Sequence, residues 1–171
     1  MTPALSLKIA IVLIAAYAIP IRASGQNDLQ KLPPASAAAA CPAAKLLKPA
    51  QIHGQWRVSF KSAPAGLPAS ATLLIERHAE FSDSVAGFVS RNLLAPAPGH
   101  AARAQLAGDL EDGLLTLDES SNGISITGTW NAEVVEGSCG RSLRGTWKDT
   151  SSSAPPDAPE IAFTMEKLAG W

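Results

Sequence analysis

Two dipeptides, Asp112-Gly113 and Asn122-Gly123, interrupt one run of alternating apolar and polar residues. Asp-Gly and Asn-Gly are the pairs favoured in two-residue hairpin turns, where both central residues adopt positive φ. Two such turns in succession predict three antiparallel strands across "RAQLAGDLEDGLLTLDESSNGISITGTW", residues 103–130. Leu106 and Leu110 share a face of the first strand, and Leu115 and Leu117 a face of the second. Ile124, Ile126, Gly128 and Trp130 fall together on the third.

The same period of two extends in both directions, and it is the pattern of a half-buried strand. "GQWRVSF" sets Trp56, Val58 and Phe60 against Arg57 and Ser59. Further strands are expected near Thr72–Arg77 and Ser84–Arg91, followed by a loop in "LLAPAPGHAA" that Pro96, Pro98 and Gly99 mark. After Trp130 the chain runs through "AEVVEG", turns at "GSCGR" and returns as "SLRGTW". It closes with Ile161, Phe163 and Met165 on one face. About eight strands and almost no helical period give an all-β fold. An antiparallel meander closing into a small barrel is expected, with a β-sandwich as the alternative.

Gly-x-Trp occurs three times, at Gly54-Gln55-Trp56, Gly128-Thr129-Trp130 and Gly145-Thr146-Trp147. Each copy places glycine and tryptophan on the same face of a strand. Glycine inside a strand marks a bend, a bulge or the close approach of another backbone. A large indole beside it suits the small-next-to-large packing of a tapering barrel interior. The other reading makes Trp56, Trp130 and Trp147 the lining of a ligand cavity. These motifs resemble those of small secreted barrels of the lipocalin and avidin kind, and of the bacterial periplasmic metalloprotease inhibitors with a similar barrel. That resemblance spans the strand rhythm of residues 54–171. It implies an up-and-down antiparallel barrel that binds rather than catalyses, its target being a small apolar ligand, biotin or a protease. Trp56 is the residue matched, by its place in the first strand.

The chain has 171 residues, enough for one domain. Residues 1–23 read as a secretory signal peptide: Lys8, an apolar run from Ile9 to Ile21, then small residues. Cleavage is placed after Ala23, with Ala18 or Ser24 as alternatives and an uncleaved anchor as the competing reading. The run is shorter than the roughly 20 apolar residues of a membrane span. Residues 24–50 are rich in alanine and proline and read as a tether; residues 51–171 form the barrel domain.

Removing the leader takes Lys8 and Arg22 and no acid, leaving 12 basic and 15 acidic side chains. A weakly acidic chain lacks the basic face that nucleic acid requires. Export, to the periplasm or beyond the cell, also decides how Cys41 and Cys139 are read. In an oxidising compartment an even pair is first a disulfide. A bridge would pin the tether across one end of the domain, as a plug or a strap. The alternative leaves Cys139 a free nucleophile, which needs an activating histidine that no local pattern supplies.

No motif supplies catalysis, a cofactor or a metal. His53, His78 and His100 lack the close spacing of a metal pair. Asp109, Glu111 and Asp112, with Asp118 and Glu119, are acidic enough to suggest calcium or a carboxylate pair. Leu114 and Leu115 stand where further calcium ligands would be needed, so a solvated hairpin end is the simpler reading. The expectation is an exported, non-catalytic binding protein of the bacterial envelope, with a small apolar ligand or a protein as partner. A structural envelope protein without a ligand is the alternative, and a small hydrolase using the acidic hairpin the third.

Overall fold

A computed structural model describes residues 41–92 and 102–169. The signal peptide and tether readings up to residue 40, the loop through Pro96, Pro98 and Gly99, and His100 lie outside the described residues. Eight strands follow in order: β1 (Gly54–Phe60), β2 (Ser70–Arg77), β3 (Ser84–Arg91), β4 (Arg103–Glu111), β5 (Leu114–Ser120), β6 (Gly128–Val134), β7 (Ser142–Asp149) and β8 (Ile161–Ala169). Each pairs antiparallel with the next, and β8 pairs back onto β1, so the meander is a closed barrel rather than a sandwich. Closure leaves no strand edge unpaired.

The alternation carries through. In β1, Gly54, Trp56, Val58 and Phe60 are buried while the residues between them are exposed. In β8, Ile161, Phe163 and Met165 point inward. The barrel has two ends. One, here the lead end, holds the start of β1, the β2–β3, β4–β5 and β6–β7 turns, and the lead from Cys41 to His53. The other, the far end, holds the β1–β2, β5–β6 and β7–β8 loops.

The β4–β5 turn is the expected two-residue hairpin. Asp112 and Gly113 have φ of 50° and 82°, and Glu111 pairs with Leu114. The expected second hairpin at Asn122-Gly123 is not formed. β5 stops at Ser120 and β6 starts at Gly128, so Ile124 and Ile126 lie in a loop, 89% and 49% exposed. The cause is local. Gly123 takes positive φ but Asn122 does not. Asn122 Oδ1 instead accepts from the amides of Ile124 and Ser125, both at 2.9 Å. An asparagine side chain that captures nearby amides in this way displaces the strand ladder. The amide of Thr127 then donates to the Glu119 carbonyl at 2.7 Å and closes the loop.

The Gly-x-Trp copies on β6 and β7 fit one another. Trp130 and Trp147 are register partners, with Gly128 and Gly145 on the same inner faces. A Cβ on Gly128 would lie 2.6 Å from Trp147 Nε1. A Cβ on Gly145 would strike the Asn131 carbonyl oxygen and lie 2.6 Å from the Ala132 Cα. Gly145→Ala must therefore part β6 from β7. We expect a loss of about 1–3 kcal/mol in unfolding free energy, the range for overpacking, read from urea denaturation. An unchanged midpoint would contradict this packing role.

Candidate functional site

Trp56, Trp130 and Trp147 lie in the barrel interior, none more than 1% exposed. Trp130 and Trp147 are together, ring centroids 6.2 Å apart, with Phe60 and Phe163 packed against Trp130 at 5.7 and 5.1 Å. Trp56 sits towards the lead end. Each of these three indole N–H groups is used by the chain itself. Trp56 donates to the Ile52 carbonyl at 2.9 Å. Trp130 and Trp147 both donate to Glu119 Oε2, at 3.0 and 3.2 Å.

Glu119 also meets Arg91 in a two-pronged pair, Nη1 to Oε1 and Nη2 to Oε2, each 2.6 Å. Their side chains are 1% and 0% exposed. The guanidinium lies 5.8 Å from the Trp130 ring centroid and 5.5 Å from that of Trp147. A carboxylate holding one guanidinium and two indoles has its lone pairs largely committed, so it is poorly placed to act as a general base. A buried ion pair survives desolvation only when its remaining hydrogen-bonding groups are satisfied. The two indoles do that for the acid, while Arg91 Nε has no partner among the described residues.

Sequence reasoning grouped Glu119 with Asp118 in an acidic hairpin end and left Arg91 unremarked. The sheet separates the two acids, with Asp118 outside and Glu119 inside. The signal was present in the period of two: Leu115, Leu117, Glu119 on β5 and Val85, Gly87, Val89, Arg91 on β3. Each apolar face ends in a charge, and the two charges are opposite.

At the lead end Cys41 and Cys139 form a disulfide, with Cα atoms 4.8 Å apart. The lead it secures is ordered. A 3₁₀ turn at Ala44–Leu46 is followed by one helical turn, α1 (Pro49–Ile52). Pro49 occupies the first helical position, where its missing N–H leaves nothing unpaired. Leu47 and Ile52 are buried in the core. The Ala44 amide donates to the Glu136 carboxylate at 3.0 Å, and Lys167 Nζ donates to the Gln51 carbonyl at 2.8 Å. The segment is therefore both strap and plug.

His53 closes this lead. Burial lowers its pKa below the ordinary 6.5, and the positive charges of Lys167 and Arg77 lower it further, against a smaller opposing effect of Glu76. Lys167 is itself lowered, first by burial and then by Arg141. The unfolded chain thus takes up a proton at His53 at a pH where the folded chain still resists it. Stability from this group is present above 6.5 and is lost as pH falls through the lower folded value. His53→Gln should flatten the fall in urea midpoint between about pH 7 and about pH 5. A slope identical to that of the parent chain would refute the assignment.

The remaining candidates are dispersed. His78 Nδ1 accepts from the amides of Glu80 and Phe81, both at 3.2 Å, and its ring packs on Phe81. Asp109 and Glu111 lie exposed on the outside of β4, Asp109 accepting from Ser84 Oγ at 2.6 Å, and Asp112 lies in the turn. Among the described residues no group of three or more His, Cys, Asp or Glu side chains is placed to hold a metal ion. None of their helices is long and apolar enough to cross a membrane.

The far end has a different chemistry. Its loops at 121–127 and 150–160 enclose a concavity of about 360 Å³, lined by serine and threonine hydroxyls and by Ile126. Ile124 stands beside it, exposed. No protein-family model matches this chain, and no curated protein matches it.

Proposed function

We propose that this chain is an exported, non-catalytic binding protein of the bacterial envelope, and that its barrel is a scaffold for recognising a protein. The supporting observation is the state of the interior. Trp56, Trp130 and Trp147 are packed at 0–1% exposure, and their N–H groups are engaged by Ile52 and Glu119. A small-ligand site needs a cavity with a few convergent polar groups left for the ligand. Here those groups serve the fold. Of the targets that barrels of this kind suggest, a macromolecule such as a protease fits a filled interior better than biotin or an apolar small molecule does.

The Cys41–Cys139 disulfide is compatible with an oxidising compartment. Asp109 and Glu111 lie on the outside of β4, Asp112 in its turn, and the two described histidines in the lead and the β2–β3 turn, an arrangement that favours binding over hydrolysis.

Native mass spectrometry of the protein taken from its own host tests the reading. The expected species are the bare chain and a complex with a second protein. An added mass of small-molecule size, released on denaturation, would overturn the protein-partner reading and restore the ligand-carrying one.

A further inference from the structure

We infer that the lead from Cys41 to His53 is an acid-opened lid on the barrel, triggered at His53, hinged at Gly54 and kept within reach by the Cys41–Cys139 disulfide. The lid does not depend on the binding role proposed above.

The lead is fixed to the barrel differently from the strands around it. Among the described residues no backbone-to-backbone hydrogen bond joins 42–53 to a strand or turn of the barrel. Those bonds are internal to the lead, as from Leu47 to Ala44 and from Gln51 to Lys48. Packing and side-chain hydrogen bonds hold it instead. Leu47 and Ile52 are buried. The turns beneath leave room for close contact: a Cβ on Gly113 would stand 3.0 Å from the Ala44 carbonyl carbon, and one on Gly140 3.3 Å from Leu47 Cδ1. The Ala44 amide donates to Glu136, the Trp56 indole to the Ile52 carbonyl, and Lys167 Nζ to the Gln51 carbonyl. A segment secured in this way opens as a unit, at a lower free energy than the sheet does. Its two ends define the movement. Cys41 stays bonded to Cys139 in the β6–β7 turn. Gly54 has φ of 136°, where a glycine lets the backbone swing without a side-chain clash. Residues 42–53 therefore lift as a loop held at both ends, and settle again.

His53 sits between the hinge and the bond from Lys167 to Gln51. Its Nε2 is buried with no hydrogen-bond partner among the described residues. A neutral imidazole leaves one polar atom unpaired there. An imidazolium leaves a charged N–H unpaired, which costs more. The surrounding charges oppose protonation too. Lys167 of β8 and Arg77 of β2 act on His53 against one carboxylate, Glu76, and Arg141 of the β6–β7 turn adds its charge beside Lys167. The lead's own cations are Lys45 and Lys48, and its nearest acid, Glu136, is engaged by the Ala44 amide. Burial first, and then Lys167 and Arg77, keep the pKa of His53 below the ordinary 6.5. In the lifted lead the imidazole regains water and its ordinary affinity for a proton. Docking is therefore favoured above 6.5 and is lost as pH falls through the lower docked value. A charge gained at one histidine thus biases a two-state element. Opening withdraws Leu47 and Ile52 from the core and leaves the Trp56 N–H to water, so the apolar mouth of the barrel is bared only in acid.

The test is amide hydrogen exchange on the full, oxidised chain at about pH 7.5 and about pH 5, a window in which histidine changes charge. Each rate is divided by the intrinsic rate at the same pH, and residues 44–52 are compared with β4 and β5. We expect protection over 44–52 to fall at least about fivefold on acidification, the lower end of ordinary coupling between a ligand and a conformational change. Protection of β4 and β5 should hold, and that of 44–52 should return when the pH is restored. In His53→Gln, and separately in His53→Asn, the fall should be lost. In Lys167→Met protection should start lower, because the Gln51 carbonyl loses its donor, and fall less, because the proton meets one cation fewer.

Unchanged protection over 44–52 would overturn the lid. So would a fall that β4 and β5 share, which is unfolding of the whole barrel. A fall that both His53 variants retain, or one that is larger in Lys167→Met than in the parent chain, would overturn His53 as the trigger. None of these outcomes bears on the binding role.

Discussion

Glu119→Ala is expected to lower the unfolding free energy by about 3–5 kcal/mol, the cost of stranding one member of a buried ion pair. The substitution leaves the Arg91 guanidinium at 0% exposure without its counter-ion, and leaves the indole N–H of Trp130 without its acceptor. An unpaired buried donor costs about 1–3 kcal/mol by itself. These contributions share one carboxylate and will not add. A double change separates them. Arg91→Met with Glu119→Met removes both charges, and replacing a whole buried pair by apolar groups is often close to neutral. Recovery should nonetheless be incomplete, because the indole of Trp130 still lacks an acceptor. Urea denaturation followed by far-ultraviolet circular dichroism avoids the altered tryptophan emission. A single variant less than about 1 kcal/mol below the parent would show that Arg91 finds water or another partner, and that Glu119 is not the centre described here.

The reach of sequence reasoning follows the same physics. Alternation placed Trp56, Val58 and Phe60 inside because burial on one face of a strand repeats every second residue. It also located Asp112-Gly113, where backbone geometry alone sets the turn. It missed Ile124 and Ile126 because the apolar rhythm continues past the last ladder bond, and the Asn122 side chain decides where the strand begins. It missed Arg91 and Glu119 because charge normally argues for the outside, and only their meeting inside the barrel, from the two strands that flank β4, makes burial tolerable. Order in the lead was equally hidden. Leu47 and Ile52 have no period of their own, and their burial depends on the barrel end they cover. The pairing of Cys41 with Cys139 was legible, since two cysteines read as a disulfide pair leave one partner each.

Replacing both cysteines, Cys41→Ser with Cys139→Ser, is expected to remove up to about 4–5 kcal/mol of stability in the chain-entropy account. The bridge spans 98 residues of sequence, so it restricts most of the unfolded barrel. That account places the loss in the unfolded state and leaves the folded lead where it is. The lead has independent holds: buried Ile52, the Trp56 N–H on the Ile52 carbonyl, the Ala44 amide on Glu136, and Lys167 on Gln51. We therefore expect the double variant to unfold at lower urea with its lead still docked. Amide hydrogen exchange over 44–52 should then remain slow relative to the freed Cys41 region. Fast exchange across the whole lead, with solvent reaching Trp56, would mean that the bridge holds the folded plug itself, and the loss would no longer be an unfolded-state effect. Ile52→Ala in the oxidised chain distinguishes the two further. If contacts hold the plug, removing this fully buried side chain should cost about 2–5 kcal/mol even with the bridge intact. If the bridge holds it, the cost should be much smaller.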